Sequence, residues 1–184
     1  MRIIAGTAKG IPLVTPKGRE IRPTLDRVRE SVFNIIAPAL DEETVFLDLF
    51  TGTGANGLEA LSRGGARSVF VDSSPQSLEI SRKNAAKARL SDRATFVRMT
   101  LPDNLSKVVR QHGPADIVYA DPPFDFDAYE VLLKVIAEAE PHTPQQLVIV
   151  EHPSRTTLLE QVSGLNQYRT ETYGRASISF YRRG

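Results

Sequence analysis

The sequence predicts an α/β fold, in which an open and mostly parallel β-sheet is covered by helices on both faces. Two observations lead to this class. Short apolar runs alternate with stretches of helical periodicity along most of the 184 residues, and glycines or acids stand where several runs end. The length fits one domain of ordinary size, and 41% hydrophobic with 24% charged residues argues against a disordered or fibrous chain.

Five apolar runs have the composition of strands that are buried on both faces. Helical stretches follow the first four, at about residues 55–63, 75–89, 103–111 and 127–139. Because parallel strands need such crossover helices, the alternation predicts one parallel sheet. The runs are Val45–Phe50, Ser68–Asp72, Ala94–Val97, Ile117–Ala120 and Leu147–Val150.

The two ends of the chain differ from this middle part. Residues 2–5 and 11–14 are apolar and separated by Gly6 to Gly10, which predicts a small hairpin. Pro23-Thr24, followed by helical apolar spacing, predicts a helix that ends near Pro38. Two strand-like runs at the end, 167–173 and 176–181, predict an antiparallel edge pair and bring the sheet to seven strands. We therefore divide the chain into a hairpin and arm (1–25) and one domain (26–184).

Several function classes are disfavoured by composition. The apolar runs are far shorter than the roughly 20 residues that cross a bilayer, and no signal-type apolar region stands at the N-terminus. Without cysteine there is no disulfide, no thiolate metal site and no cysteine nucleophile, and three dispersed histidines suggest no metal. We expect a cytoplasmic protein without a membrane span or a metal.

The net charge of +1 hides an uneven distribution. Residues 1–30 carry seven Lys/Arg against three acids, and residues 155–184 carry five against two, so the middle of the chain is acidic by six charges. Basic ends suit contact with phosphates, and an acidic centre suits a cationic or amine-bearing small molecule. On this pattern alone, ordinary surface charge is the favoured explanation.

A glycine-rich segment, Asp48 to Gly57, follows the first apolar run. Glycines after a buried strand let the backbone turn tightly against a ligand, and the following helix offers free N–H groups. Asp72 stands 20 residues after Gly52, where an acid can accept hydrogen bonds from a ribose. Gly52-x-Gly54-x-x-Gly57 alone fits NAD as well as another nucleoside, or a turn with no ligand, but the whole arrangement favours a nucleoside site.

The turn Asp121-Pro122-Pro123-Phe124 directly follows the fourth run. Two prolines remove two backbone donors and stiffen the turn, so we expect its carbonyl groups to face the cleft. A carboxylate beside a carbonyl can accept both hydrogens of an exocyclic amine, and the phenyl ring can stack on the base that bears it. A rigid proline turn capped by an aspartate is the simpler reading, but its place in a glycine-loop fold favours the amine site.

Together the Asp48–Gly54 loop and the Asp121–Phe124 turn resemble those of the S-adenosylmethionine-dependent amino-methyltransferases. Ile3-Ile4-Ala5-Gly6, the block from Arg22 to Asn34, and Tyr173-Gly174 before a strand narrow the resemblance to the bacterial 16S ribosomal RNA guanine-N2 methyltransferases of the methyltransferase D family. The likeness covers essentially the whole chain. Its most specific part is the Arg22–Asn34 block, because DNA adenine and protein glutamine methyltransferases share the other two motifs.

The resemblance implies a Rossmann-like class I methyltransferase fold, S-adenosylmethionine as cofactor, and ribosomal RNA or the assembling small subunit as partner. The sequence leaves the oligomeric state open, and we favour a monomer. Asp121, Pro122, Pro123 and Phe124 would hold the target amine. Relatives often place Asp or Asn against the adenine after the third strand, whereas this chain has Arg98–Asp103, so Thr100 or backbone groups would serve there. The expected cofactor contacts are Asp48, Phe50, Gly52, Gly54, Asp72, Ser73, Thr100 and Asn34.

The resulting hypothesis is methyl transfer to the N2 amine of a guanine in 16S ribosomal RNA, without a metal and with Asp121 orienting the amine. Alternatives are methylation of DNA adenine or protein glutamine, an NAD-linked oxidoreductase, and a non-catalytic RNA-binding protein. NAD chemistry gives no reason for the Asp121 turn. The residues expected to contact phosphates are Arg2, Lys9, Lys17, Arg19 and Arg22, although a solvated face explains any single one equally well.

Overall fold

The computed structural model describes residues 1–16 and 23–184. None of the helices in these ranges has the length and apolar character needed to cross a membrane. The α-helices are α1 (Pro23–Ile36), α2 (Ala55–Ser62), α3 (Pro75–Ala88), α4 (Leu105–His112) and α5 (Tyr129–Glu138), with short 3-10 helices at Ala37–Ala39 and Ser91–Arg93. The strands are β1 (Val45–Leu49), β2 (Arg67–Asp72), β3 (Ala94–Arg98), β4 (Ile117–Ala120), β5 (Leu147–Pro153), β6 (Gln161–Val162), β7 (Leu165–Tyr173) and β8 (Ala176–Arg183).

The described strands form one sheet in the order β3-β2-β1-β4-β5-β8-β7-β6. β1 to β5 pair in parallel, and β8, β7 and β6 follow as antiparallel neighbours, which confirms the predicted α/β class. The predicted number of seven strands was wrong by one. The extra strand, β6, has only two residues and reverses at Ser163-Gly164, both with positive φ, so it is too short to show a strand periodicity.

Two apolar layers cover the sheet, because side chains of successive strand residues point to opposite faces. α4 and α5 pack on one face, where Leu47, Val69, Val118 and Val148 are buried. On the opposite face α1 packs on Phe46, Ile117, Tyr119 and Ile149, and α2 and α3 pack around Phe70. The face covered by α1, α2 and α3, which we call the α1 face, also carries the acidic side chains described below.

The N-terminal segment folds back as predicted. Arg2 pairs antiparallel with Pro12, and the Ile3 N–H donates to the carbonyl of Ile11 at 3.1 Å. The side chains of Ile3, Ala8 and Leu13 are buried in the same apolar cluster as α2, α3 and Phe70. The hairpin therefore shares its core with the sheet.

Glu59 of α2 anchors this hairpin from inside the protein. Its carboxylate is fully buried and accepts hydrogen bonds from the backbone N–H groups of Ile4 (2.7 Å) and Ala5 (3.0 Å). Arg63 donates to the same carboxylate at 2.7 Å. Because a buried backbone N–H without an acceptor is costly, this glutamate fixes where the hairpin lies.

Arg29 joins the hairpin to α1. Its guanidinium is buried and donates to the carbonyl of Arg2 at 2.6 Å and to Asp26 at 3.0 Å. Its Nε lies 3.9 Å from the Glu59 carboxylate. Both Asp26 and Arg29 belong to the Arg22–Asn34 block, so this most specific part of the sequence contains the link between the hairpin, α1 and α2.

We expect Glu59→Ala to destabilise the protein by about 3 kcal/mol or more, because it leaves two backbone donors and buried guanidinium charge without an acceptor. Glu79→Ala is the matched control, since Glu79 also pairs with a cation four residues later, Lys83, but both side chains are exposed. Urea unfolding of both variants measures the difference. Equal losses of unfolding free energy would show that Glu59 is not an anchor.

Candidate active site

The two motifs of the sequence meet at the carboxyl edge of the parallel strands. β1 continues to β2 and β3 on one side, whereas β4 and β5 lie on the other, so the strand order changes direction between β1 and β4. Ligands of open α/β sheets bind at such a switch point. The Asp121 N–H donates to the carbonyl of Leu49 at 3.4 Å, which places the Asp121 turn against the start of the glycine loop.

Asp48, near the end of β1, holds the glycine loop in place through hydrogen bonds. It is 1% exposed, and its Oδ2 accepts hydrogen bonds from the Thr51 hydroxyl (2.7 Å) and the Gly57 N–H (3.0 Å). Gly54 caps α2 with φ of +78°, a backbone conformation that favours glycine. At Gly57 a Cβ would lie 2.4 Å from the Phe70 ring, so only glycine lets α2 approach β2 this closely.

The carboxyl group of Asp48 is not fully satisfied by the protein. Burial raises its pKa to about 7 despite these two hydrogen bonds, and the charges of Asp121 and Asp72 raise it further. Its other oxygen, Oδ1, is buried and accepts no hydrogen bond from the described residues. The loop thus contains a hydrogen-bond acceptor that a cationic ligand group would satisfy.

Asp72 at the end of β2 has a role that the sequence analysis missed. Its two oxygens accept the backbone N–H groups of Gly52 (3.0 Å) and Ser74 (2.8 Å). It therefore connects the glycine loop to the start of α3, where the Ser74 side chain caps the helix. Each oxygen keeps a further lone pair, so the arrangement remains compatible with the predicted ribose contact. Ser73, which lies between Asp72 and Ser74 in the sequence, is exposed.

Aromatic rings connect the glycine loop to the Asp121 turn. Phe50 has a φ of +58°, unusual for a residue with a side chain, and its ring lies 5.5 Å from that of Phe126. Phe126 in turn contacts Tyr129 edge to face at 5.1 Å. Phe126 is the ring that packs inside the turn, whereas Phe124, the ring expected to stack on the base, is 61% exposed.

The prolines of the turn are placed differently from each other. Pro122 is buried and Pro123 is exposed. The Pro123 carbonyl accepts the N–H of Phe126 at 2.9 Å and closes the turn, so it is engaged within the loop and not directed only at the cleft. A cavity of about 310 Å³ lies between this turn and the loop after β5, and is lined by Phe124, Asp125, Phe126, Asp127, Tyr129, Pro153, Arg155 and Thr156.

Not every predicted contact residue reaches this edge. Thr100 follows β3 and is exposed, near Asp72, whose carbonyl accepts the N–H of Met99 at 3.1 Å. Asn34 accepts a hydrogen bond from Arg63 at 3.3 Å, at the end of α2 opposite Gly54 and roughly 12 Å away along the helix. The structure therefore places Asn34 beside the guanidinium of Arg63, which follows the last residue of α2.

The basic residues are only partly described. Arg2 and Lys9 are exposed on the N-terminal hairpin, and Arg2 lies 3.9 Å from Asp26. Lys17, Arg19 and Arg22 lie outside the described residues. His152 is buried and its ring nitrogens contact the Pro153 carbonyl (3.1 Å) and the Ser179 hydroxyl (2.9 Å). Within residues 1–16 and 23–184 no group of three potential ligands is placed to hold a metal.

One acidic residue of the site escaped the sequence analysis. Glu151 on β5 is one residue beyond Val150, the partner of Ala120, and therefore lies beside Asp121. Burial, and then the charge of Asp121, raises the pKa of Glu151 to about 8. The signal was present in the sequence, since Glu151 ends an apolar run as Asp72 does. We call Asp72, Asp48, Asp121 and Glu151 the carboxyl row.

Comparisons with known proteins agree with this geometry. A family model described as Conserved hypothetical protein 95 matches residues 1–182. YlbH of Bacillus subtilis (strain 168) is 33% identical over 183 residues, which cover 100% of this chain and 99% of YlbH. The ribosomal RNA small subunit methyltransferase D of Escherichia coli (strain K12) is 30% identical over 183 residues, which cover 100% of this chain and 90% of that protein.

Solved structures give the same result for the fold. The Escherichia coli protein yhhF superposes with a TM-score of 0.83 at 31% identity, covering 100% of this chain and 97% of that one. An RNA methyltransferase from Salinibacter ruber, in complex with S-adenosyl-L-homocysteine, superposes with a TM-score of 0.63 at 20% identity. The match covers 93% of this chain and 94% of that one. The fold is the Rossmann-like methyltransferase fold, and the chain belongs to the methyltransferase D family of S-adenosylmethionine-dependent methyltransferases.

Proposed function

We propose that this protein transfers a methyl group from S-adenosylmethionine to the exocyclic N2 amine of a guanine in small-subunit ribosomal RNA. The observation that carries the proposal is the position of the Asp121 turn, which lies directly against the glycine loop at the switch point of the sheet. A turn built to accept amine hydrogens beside a nucleoside-binding loop suits amine methylation. Family membership and the name of the Escherichia coli relative support ribosomal RNA as substrate.

The residues at the edge of the sheet fit the cofactor. The buried Oδ1 of Asp48 offers an acceptor to the ammonium group of the methionine end, and Asp72 retains lone pairs for ribose hydroxyls. α2 begins at Gly54 beside them, with its free N–H groups at the same edge. When bound, S-adenosylmethionine supplies a methyl group on a sulfonium that is already an excellent leaving group.

The protein then has to align the amine with the methyl group. Asp121 accepts a hydrogen bond from the amine, which orients the nitrogen lone pair and stabilises the positive charge that develops on the nitrogen. Phe124, exposed at the rim of the cavity, offers a face on which the base can stack. A guanine that is stacked in an RNA helix would have to leave its stack to reach this cleft. The exposed Arg2 and Lys9 can contact the flanking phosphates.

The proposal is tested by labelled methyl transfer to ribosomal RNA and to small subunits from cells that lack this protein. Digestion and nucleoside analysis should give N2-methylguanosine as the labelled product. Titration with NAD and with S-adenosylmethionine separates this proposal from the oxidoreductase alternative, since only that alternative predicts binding of NAD. Label in methyladenosine or in protein would contradict the assignment of guanine N2.

We expect Asp121→Ala to lower turnover at least about 100-fold while cofactor affinity changes little, because the carboxylate orients the amine and not the cofactor. Asp92→Ala is the control, since Asp92 is exposed in the 3-10 helix before β3, at the opposite edge of the sheet. Steady-state kinetics and isothermal titration separate the two effects. An Asp121→Ala enzyme with wild-type turnover would refute this role.

Cofactor affinity should depend on pH through Asp48. Because its pKa is raised to about 7, the carboxyl group is largely protonated below that pH, and only the ionised form attracts an ammonium group. We expect the affinity for S-adenosylmethionine to rise with pH through about 7, by up to about tenfold per pH unit on the acid side. Calorimetry in buffers of different ionisation enthalpy should detect proton release on binding.

Asp48→Asn is the matching variant, because the amide oxygen can still accept from Thr51 and Gly57. It should bind the cofactor weakly at every pH and show no proton release. The folded state binds the Asp48 proton more tightly than the unfolded state, so wild-type stability contains a term that is lost as the pH rises from about 4 to about 7. Thermal melts at different pH should show that the variant lacks this pH-dependent contribution to stability. Identical pH slopes in both proteins would contradict the assignment.

A further inference from the structure

We propose that Glu151 is the specificity-determining residue of this site, and that its carboxylate accepts the N1–H of the target guanine next to the amine held by Asp121. The inference rests on the proposed function. It concerns a residue that the amine-binding motif does not include.

The position of Glu151 follows from the strand register. Ala120 of β4 pairs with Val150 of β5, so the next residues, Asp121 and Glu151, leave the sheet side by side. Glu151 lies on the α1 face, because it follows the buried Leu147 and Ile149 of that face at intervals of two residues along β5. The Tyr119 hydroxyl, on the same face, donates to its Oε2 at 3.4 Å. Two carboxyl groups therefore stand next to each other at the edge where the amine is expected.

Among the described residues, the Tyr119 hydroxyl is the only group that donates a hydrogen bond to the Glu151 carboxyl group. Glu151 is partly buried, and within the described parts of the chain it forms no salt bridge. The groups facing it are the carboxyl of Asp121 after β4, the hydroxyls of Tyr119 on β4 and Tyr129 on α5, with the buried Arg29 of α1 beyond Tyr119. On β8 its partner is the apolar Ile178. A partly buried carboxyl group that forms no salt bridge with a described residue is destabilising, which is typical of a residue kept for binding or catalysis.

Guanine chemistry explains this arrangement. The N2 amine and the N1–H of guanine are adjacent donors on one edge of the base, so two adjacent carboxyl groups match them. Adenine presents an acceptor nitrogen beside its amine, and an ionised Glu151 would repel it. The same carboxylate that binds guanine thus disfavours the other amine-bearing purine. Asp121 alone cannot make this distinction, because both bases carry an exocyclic amine.

The test compares guanine with 2-aminopurine, which keeps the 2-amine but has an acceptor in place of N1–H. The substrate is the RNA fragment or reconstituted subunit that contains the guanine located by nucleoside analysis, with either base at that position. We expect wild type to prefer guanine by about 10- to 100-fold in kcat/KM, the usual range for a hydrogen bond to a charged group. Glu151→Gln should narrow this ratio at least about tenfold, because an amide can donate to the acceptor nitrogen.

The pH profile gives a second readout that a structural role would not change. Because the pKa of Glu151 is raised, the accepting form becomes populated only as the pH approaches about 8. The ratio of guanine to 2-aminopurine methylation should therefore rise with pH in wild type and stay flat in Glu151→Gln. Glu160→Gln, at an exposed glutamate after β5, is the control and should behave as wild type.

Two results would overturn the proposal. Wild type that methylates both bases equally, a result that needs no variant, would show that N1–H is not recognised. A folded Glu151→Gln enzyme with an unchanged ratio and pH profile would remove Glu151 from recognition while leaving the proposed function intact. If wild type gives no N2-methylguanosine at all, the proposed function fails first and this inference fails with it.

Discussion

The buried carboxyl group of Asp48 is the contact on which the site depends. By accepting from Thr51 and Gly57 it closes the glycine loop and sets the first turn of α2. Asp72 fixes the same loop from β2 through the Gly52 N–H. Two carboxyl groups on neighbouring strands therefore hold a flexible, glycine-rich segment in one conformation, so that little backbone entropy is left to lose when a ligand binds.

The carboxyl row brings four ionisable groups to one edge of the sheet, and no salt bridge joins Asp48, Asp72 or Glu151 to another described residue. Burial raises the pKa of Asp48 and Glu151, and mutual repulsion through Asp121 adds to both shifts. Asp48 and Glu151 therefore keep their protons to a higher pH than exposed carboxyl groups do, until a donor or a cation binds. A methyl donor that carries positive charge and an amine that becomes positive during transfer would both favour the ionised carboxylates, which connects these pKa shifts to the proposed chemistry.

The N-terminal hairpin is part of the same construction. Glu59 and Arg29, both buried, connect it to α2 and α1, and its apolar side chains complete the core around Phe70. Because α2 starts at the glycine loop, the surface that carries Arg2 and Lys9 is attached to the helix that begins at the proposed cofactor site. A hairpin held by buried polar contacts keeps its basic residues at a fixed place on the molecule.

The sequence was sufficient to predict the parallel strands, the helices between them and the positions of the two motifs. Strand and helix periodicities differ, and the Asp121 turn and the glycine loop must share an edge if both follow parallel strands. The proposed cofactor residues Asp48, Gly52 and Gly54 lie together as expected. Asn34 contacts Arg63, a contact that depends on how α1 packs beside α2.

The order of the elements and the residue types at strand ends follow from local periodicity and turn chemistry, so both can be read along the chain. Which of these residues become neighbours depends on how the strands and helices pack. The register of β4 and β5 brings Glu151 beside Asp121, and the fold makes Phe126, not Phe124, the packed ring. Register and packing join residues far apart in sequence, and burial then changes their ionisation, so neither can be read from a linear pattern.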